Sequence, residues 1–278
     1  MKLYYYRDQF GNFGDDLNVW LWSRLLADCL DEDDSSIFVG IGTLLNERLP
    51  LQPIKYIFGA GVGHGYAPVV DDSWNIYFVR GPLSAEALGL PETLAITDPA
   101  ALIRILDLPS EQKSFTASFM PHHTNSERLR EHRDAVQALC QAEGINYIDP
   151  SSSVPDILRD IMRSEVVLAE AMHAAIVADA LRIPWIPVDL LNRVHKFKWH
   201  DWTQSLGLHY SPVTFSENEA NDSLSAYAKF LRRVMNTVAP VLSADENIEA
   251  ATELMVNQLK SFRENCLTVN LPLFFVNG

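Results

Sequence analysis

Two side chains that could take part in binding or catalysis each follow a short apolar run in this 278-residue sequence. Arg80 comes after the apolar run 76–79, and His173 follows the run 166–169 at the predicted start of a helix. An arginine guanidinium binds phosphate or carboxylate through two parallel hydrogen bonds, and a neutral imidazole can accept and return a proton. We therefore expect Arg80 to hold an anion and His173 to act as acid and base. The alternatives are a structural ion pair with a local aspartate for Arg80 and a purely structural role for His173.

The loop at residues 7–16 follows the first apolar run and leads into a helical pattern from Leu17. Glycines let backbone N–H groups approach a ligand, and a helix N-terminus favours an anion. A turn followed by an aspartate N-cap explains the same pattern equally well. The candidates for substrate contact in this loop are Gly11, Asn12, Gly14 and Asp15.

A second glycine-rich loop, residues 59–65, comes directly after the apolar run 55–58. Its Gly-x-Gly-x-Gly spacing is only weakly typical of a dinucleotide site, because no helical pattern follows it. We therefore predict no nicotinamide cofactor here. Gly61 and Gly63 are instead expected to line a ligand site through their backbone.

Three polar residues follow two later predicted strands. His122 and His123 come after the strand 115–120, and Glu170 comes after the strand 166–169. Adjacent side chains on a strand point to opposite faces, so the histidine pair is not expected to chelate one metal ion. All three residues are candidates for contact with substrate, His122 or His123 through an anion or a sugar hydroxyl.

Two further features complete the candidate site. Thr97 and Asp98 precede Pro99, where we predict that one of them caps a helix, the alternative for Asp98 being that it faces the cleft. The stretch 193–200 is the most basic part of a chain whose net charge is −14. Because a solvated face would mix charges of both signs, we interpret Lys196 and Lys198 as part of an anion pocket.

Elements that alternate along the chain must position these residues. Short apolar runs alternate with helical patterns, which predicts βαβ units and parallel sheets, and ligands of such sheets bind beyond the carboxyl ends of the strands. A break near residues 106–113 divides the chain into predicted Rossmann-like domains at 1–108 and 109–220. A helical segment at 221–278, with an apolar tail at 267–276, is expected to pack back on the N-terminal half.

The composition excludes several classes of protein. The net charge of −14 and the isoelectric point near 4.9 argue against nucleic-acid binding, which depends on lysine and arginine. Three widely separated cysteines predict no disulfide framework and favour a reducing compartment. No run approaches the length of a membrane helix, and no signal peptide is visible. We therefore expect a cytoplasmic protein.

These motifs, in this order, resemble the polysaccharide pyruvyltransferase family, above all its bacterial exopolysaccharide members of the succinoglycan type. The resemblance covers roughly residues 1–215. The pieces that carry it are residues 11–15, 59–63, 80–84, 97–99 and 172–176.

The resemblance implies two Rossmann-like domains that face a cleft in a GT-B-like arrangement. It implies transfer of pyruvate from phosphoenolpyruvate onto two hydroxyls of a sugar, which forms a cyclic ketal and releases phosphate. In this chemistry Arg80 and a downstream lysine, either Lys196 or Lys198, hold the donor, and His173 exchanges protons. The carboxylates that orient the sugar hydroxyls or the imidazole are Asp15 and Asp98.

One position departs from the family pattern. Ala171 stands where many members carry an arginine, two residues before the histidine. The anionic groups of the donor must then depend on Arg80, the basic stretch 193–200 and His123.

The resemblance implies no cofactor or metal beyond the donor substrate. The partners it implies are phosphoenolpyruvate and an acceptor sugar on a lipid carrier, which would bring the protein to the inner face of the membrane as a peripheral protein. Two alternatives remain open from the residues themselves. One is a nucleotide-sugar glycosyltransferase of the GT-B type, and the other is a non-catalytic sugar-binding member of a polysaccharide assembly complex.

Overall fold

The computed structural model describes residues 1–123, 132–190, 194–215 and 224–269, with side chains through Cys266. The first of its two sheets has the strand order β1-β2-β3-β4. These strands are β1 (Lys2–Tyr4), β2 (Ser36–Val39), β3 (Ile54–Phe58) and β4 (Trp74–Phe78).

The second sheet has the order β6-β5-β7-β8-β9. Its strands are β5 (Ala117–Met120), β6 (Ile145–Tyr147), β7 (Val167–Ala169), β8 (Trp185–Asp189) and β9 (Val213–Thr214). All strand pairs in both sheets are parallel, so the carboxyl ends of each sheet lie along one edge. The predicted α/β class with two Rossmann-like parallel sheets is confirmed.

Helices connect and cover these strands. The α-helices among the described residues are α1 (Phe13–Leu25), α2 (Pro82–Ala87), α3 (Arg133–Ala142), α4 (Val154–Met162), α5 (Met172–Ala180), α6 (Lys196–Ser205), α7 (Leu224–Thr237) and α8 (Asp245–Val269). The same residues include short 3-10 helices at Glu92–Leu94 and Pro99–Ile105. The sequence predicted a helix over 126–142, of which residues 126–131 lie outside the described chain.

Helix α1 begins four residues earlier than the apolar periodicity predicted. Asn12 is its N-cap, and the side-chain oxygen of Asn12 accepts a hydrogen bond from the backbone N–H of Gly14 at 3.3 Å. A side chain that satisfies an unpaired first-turn donor favours a helix start at this point. Gly14 and Asp15 therefore lie in the first turn of a helix, although the sequence placed them in a loop.

Helix α6 was missed by the sequence analysis, which treated residues 193–200 only as a basic stretch. Its buried residues, Trp199, Asp201, Trp202 and Thr203, fall on more than one side of the helix. A helix that is buried on several sides lacks the apolar stripe that identifies a surface helix. This helix packs against α2 of the first half and so joins the two halves of the chain.

The two halves share a continuous hydrophobic core. One buried cluster contains Phe38 and Phe58 of the first sheet together with Val167 and Trp185 of the second. Helix α5 packs against the 3-10 helix Pro99–Ile105, which contributes to the same cluster. The site between the sheets is consequently held by packed side chains from both halves.

The C-terminal helices divide their contacts between the halves. Helix α8 packs on the first sheet, where the ring of Phe262 lies 4.9 Å from the ring of Phe58 between centroids. Arg263 forms an ion pair with Asp28 at 3.0 Å. Helix α7, in contrast, packs against α3 and the second sheet, whereas the sequence placed the whole segment 221–278 on the N-terminal half. The apolar tail beyond residue 269 lies outside the described residues.

Candidate active site

A cleft of about 840 Å³ lies between the two halves and is lined by residues of both. The loops that follow β1, β5 and β7 contribute to its walls, together with the N-terminus of α1 and residues of α6. This is the position that a parallel sheet favours for a ligand. The predicted site residues that line the cleft are Asn12, Gly14, Asp15, His122, His123, His173 and Lys198.

The other predicted residues surround the cleft without lining it. Lys196 is exposed to solvent at the start of α6, outside the cleft. Three are buried polar side chains behind the walls, and three are backbone positions in the glycine-rich loops. These residues are Arg80, Asp98, Glu170, Gly11, Gly61 and Gly63.

His173 stands between Asp98 and the N-terminus of α1. Its Nε2 atom lies 3.7 Å from Oδ2 of Asp98, and both atoms are buried without a hydrogen-bond partner among the described residues. The other oxygen of Asp98 accepts a hydrogen bond from the backbone N–H of Ala100 at 3.0 Å, which confirms the predicted helix cap. One carboxylate thus caps a helix with one oxygen and turns the other toward the imidazole.

Gly14 allows α1 to approach the imidazole closely. A Cβ atom at this position would stand 2.1 Å from Nδ1 of His173. No side chain larger than hydrogen fits there unless the ring moves. The glycine at position 14 of the first loop is therefore explained by the close packing of α1 against His173.

We expect Gly14→Ala to abolish most of the catalytic activity while the protein still folds. The added methyl group must displace the imidazole, and small misplacements of a reacting group cost about 10²-fold in rate. Steady-state kinetics together with a thermal melt checks this expectation. Gly89→Ala is a matched control, because a Cβ there meets no atom within 4 Å, although its φ of +64° adds local strain. Full activity in Gly14→Ala would contradict the close placement of His173.

Asp15 brings a second carboxyl group beside His173. Its Oδ2 accepts a hydrogen bond from the side-chain amide of Asn12 at 2.7 Å. Burial raises the pKa of Asp15 to about 6, while the nearby His173 and Lys198 act in the opposite direction. A carboxyl group with this pKa is able to exchange a proton near neutral pH.

Lys198 supplies the positive charge of the inner cleft. Burial, followed by the neighbouring Arg80 guanidinium, lowers the pKa of Lys198 to about 8, so the ammonium form still predominates at neutral pH. Its Nζ atom lies 3.2 Å from Nε2 of His64. Desolvation in the cleft and the charge of Lys198 lower the pKa of His64 to about 4, so a neutral His64 accepts the hydrogen bond. The structure therefore separates Lys198 from Lys196, which the sequence could not distinguish.

Glu170 anchors the histidine pair from behind the wall. Its two carboxylate oxygens accept hydrogen bonds from the backbone N–H groups of His122 and Leu190, each at 2.9 Å. Burial and the adjacent His123 lower the pKa of His122 to about 3, so this ring is neutral. Glu170 was a candidate for substrate contact, but the structure places it in a fully buried position, where it holds the loop.

Arg80 is fully buried and lies behind the lining of the cleft, where it contacts the lining residue Thr43. Its guanidinium donates hydrogen bonds to Asp201 of α6 at 2.9 Å, to Oγ1 of Thr43 at 3.1 Å and to the carbonyl of Val62 at 2.7 Å. Asp201 also accepts a hydrogen bond from the backbone N–H of Ser84 at 2.9 Å. The alternative interpretation of Arg80, an ion pair with a local aspartate, is thus right about the ion pair and wrong about the partner, which lies 121 residues away.

The glycine-rich loop 59–65 leaves space for the side chains of Arg80 and Lys198. A Cβ at Gly61 would stand 2.3 Å from the guanidinium carbon of Arg80, and a Cβ at Gly63 would stand 2.9 Å from Cγ of Lys198. Gly63 also has a φ of +149°, which favours glycine. The loop therefore influences the cleft indirectly, because it determines where the side chains of Arg80 and Lys198 can pack.

Several residues of the cleft were not selected from the sequence. His64 was quoted only as part of the glycine loop, His195 only as part of the basic stretch, and Arg48 carried no signal of its own. Asp201 directly follows the basic stretch. An acidic residue at this position is the feature of the sequence that could have indicated a partner for Arg80. The aromatic side chains of the cleft that the sequence analysis passed over include Tyr5 and Tyr6.

Neither a metal cluster nor a membrane helix is found in the parts of the chain that the structure describes. No group of three or more His, Cys, Asp or Glu side chains there is arranged to hold a metal ion. None of the helices among those residues combines the length and apolar character needed to cross a bilayer.

The cleft between the two parallel sheets holds a histidine–aspartate pair and a lysine, and the sequence matches the family described as polysaccharide pyruvyl transferase over residues 2–192. The chain belongs to this family and is a polysaccharide pyruvyltransferase. It is similar to the succinoglycan biosynthesis protein ExoV of Rhizobium meliloti (strain 1021). The two sequences are 43% identical over 236 residues, which cover 83% of this chain and 72% of the relative.

Proposed function

We propose that the protein transfers pyruvate from phosphoenolpyruvate to two hydroxyls of one sugar in a succinoglycan-type exopolysaccharide repeat. The product is a cyclic ketal, and inorganic phosphate is released. The observation that carries this proposal is the inner cleft, where His173, backed by Asp98, lies in the same cavity as Lys198. The family and the relative from Rhizobium meliloti support the class of reaction and of acceptor.

Donor binding requires cations that face a small dianion or trianion. Lys198 is the lysine that lines the cleft, and Arg48 lines it as well. Ala171, where many relatives of this family carry an arginine, also lines the cleft and leaves its wall uncharged at that point. We assign Lys198 and Arg48 to the phosphate and carboxylate of phosphoenolpyruvate, with the neutral His122 and the adjacent His123 as hydrogen-bonding neighbours.

We assign proton transfer to His173. The reaction adds a proton to the methylene carbon of the donor, and one sugar hydroxyl loses its proton as its oxygen forms a bond to the central carbon. The bond from this carbon to the phosphate oxygen then breaks, and the second sugar hydroxyl closes the ring as it loses its proton. Asp98 faces Nε2, so we assign the proton exchange to the other ring nitrogen, Nδ1, which lies beside Gly14 of α1. Asp15, with its raised pKa, is suited to take the second proton.

Positive charge beside the departing phosphate stabilises the transition state. An oxocarbenium-like charge develops on the central carbon while phosphate leaves with its electron pair. Fixed cations aimed at the phosphate lower this barrier because they need no reorganisation during the step. We place Lys198 in this role and Arg80 behind it as part of the supporting framework.

The experiment that tests the proposal is a titration of the purified protein with phosphoenolpyruvate, followed by thermal shift and calorimetry. We expect saturable stabilisation by phosphoenolpyruvate and none by UDP. With an acceptor oligosaccharide present, phosphate release and acid-labile pyruvate on the sugar are expected in equal amounts. Stabilisation by UDP alone would overturn the proposal in favour of glycosyl transfer.

The two lysines of the basic stretch give a direct comparison of donor binding. We expect Lys198→Met to raise the KM for phosphoenolpyruvate at least tenfold, and Lys196→Met to leave it unchanged, because only Lys198 lines the cleft. The wild-type KM should rise as the pH increases through about 8, where Lys198 loses its proton. In Lys198→Met this alkaline rise should disappear, and an unchanged pH profile in that variant would remove Lys198 from the donor site.

A lipid-linked acceptor and work at the inner face of the membrane belong to the same proposal. They rest on the class of reaction and have no support from particular residues. Co-sedimentation with vesicles, with and without a lipid-linked saccharide, measures both. Binding only in the presence of the saccharide is the result we expect.

A further inference from the structure

We propose that Tyr5, Tyr6 and Arg7 form the binding site for the acceptor saccharide, and that this site holds sugars next to the one that reacts. The inference rests on the proposed function, because it names the part of the cleft that receives the acceptor. It follows from the exposure of these side chains, their place on the cleft and a groove that continues the cleft beyond them.

The cleft has two chemically different regions. Its inner region contains the cation Lys198 and the imidazoles of His64, His122 and His173. Its outer lip is formed by the segment that follows β1, which contains two tyrosines and Arg7. A three-carbon phosphate fits the inner region, whereas about 840 Å³ is a volume suited to a much larger ligand.

The tyrosines of the lip are exposed where the strand has ended. Tyr4 is the last residue of β1, and its hydroxyl donates to the carbonyl of Arg48 at 3.3 Å. Tyr5 is half-buried, and Tyr6 is 56% exposed. Aromatic side chains that remain exposed and are bordered by polar groups mark a binding surface. The face of such a ring packs against the C–H face of a sugar.

One arginine borders the ring of Tyr5 without an ion pair among the described residues. The guanidinium of Arg7 lies 5.2 Å from the ring centroid of Tyr5. Guanidinium groups that are fixed beside an aromatic ring offer hydrogen-bond donors to sugar hydroxyls on either side of the stacked face.

The site extends past the cleft. A groove of about 240 Å³ runs beside β1 and shares Tyr4, Tyr5 and Arg7 with the cleft lining. A ligand that follows these shared residues passes from the cleft into the groove. This continuity fits an oligosaccharide whose reacting sugar lies near His173 and whose neighbouring sugars lie on Tyr5, Tyr6 and Arg7.

Direct binding of a saccharide tests this inference. The probe is the oligosaccharide repeat of succinoglycan from which ketal and ester groups have been removed, measured by calorimetry and saturation-transfer NMR with and without phosphoenolpyruvate. We expect Tyr6→Ala to raise the Kd about five- to thirtyfold. Tyr6→Phe, which keeps the ring, should stay within about twofold of the wild-type Kd.

The control is Tyr66→Ala, because Tyr66 is 84% exposed and does not line the cleft. Stabilisation by phosphoenolpyruvate should be unchanged in all three variants, which shows that the fold and the donor site are intact. Unchanged saccharide affinity in Tyr6→Ala and in Arg7→Ala overturns the inference. So does a wild-type protein that responds to phosphoenolpyruvate but binds no saccharide.

Failure of the proposed function gives a different result. A protein that binds the saccharide through Tyr6 but neither binds phosphoenolpyruvate nor fixes pyruvate refutes the transfer reaction. The saccharide site stands in that case, since its evidence is binding alone.

Discussion

His173→Gln is expected to lower kcat for pyruvyl transfer by about 10²- to 10⁴-fold, the range that a positioned acid–base group contributes. Glutamine fills similar space but does not exchange a proton near neutral pH. The thermal melt should change little, because the imidazole is 17% exposed and its Nε2 has no hydrogen-bond partner among the described residues. Rapid-quench and steady-state assays of phosphate release measure the loss.

Asp98→Asn separates the two functions of Asp98. Asparagine is as good an N-cap as aspartate, so the hydrogen bond to Ala100 and the stability of the 3-10 helix should be kept. The negative charge opposite Nε2 of His173 is lost, and kcat should fall with a changed pH profile. Asp98→Ala removes both functions, so it should lose a further 0.5–2 kcal/mol of stability, roughly the value of a cap. Wild-type kcat in Asp98→Asn would show that the carboxylate only caps the helix.

Local patterns predicted the positions of the main elements and of His173. The apolar periodicity predicts a helix over 154–162, which are the bounds of α4, and His173 lies in the first turn of α5 as expected. These features depend on residues that are close in the sequence: a cap, a proline in the first turn and an apolar stripe. The cap before Pro99 was predictable for the same reason, because the hydrogen bond from the backbone N–H of Ala100 to Asp98 spans only two residues of the chain.

Long-range pairing is what the sequence could not provide. Arg80 had the position of an anion-binding residue after a parallel strand, yet its partner Asp201 lies on a helix with no apolar stripe. When residues on several sides of a helix are buried, the sequence shows no periodic apolar pattern that would identify the helix. The exposed tyrosines were missed for a related reason. Three consecutive tyrosines extend an apparent strand, and only the structure shows that the strand ends at Tyr4.

The ion pair between Arg80 and Asp201 gives the second large effect. Both side chains are fully buried, and removal of one partner leaves an uncompensated charge, which costs about 3–5 kcal/mol. We therefore expect Asp201→Asn to lower the Tm by roughly 10 °C. Differential scanning calorimetry of the wild type and the variant measures this shift.

The same variants distinguish a framework role of Arg80 from contact with the donor. Asp201 and Lys198 lie on one helix, so loss of the pair should displace Lys198 and raise the KM for phosphoenolpyruvate. In a double-mutant cycle with Arg80→Met and Asp201→Asn, the losses of stability should be far from additive, because either change breaks the same bond. If Arg80 contacts the donor directly, Arg80→Met loses donor affinity while Asp201→Asn keeps it. Equal loss of affinity in the two single variants, with a non-additive double variant, is the result that the buried geometry predicts.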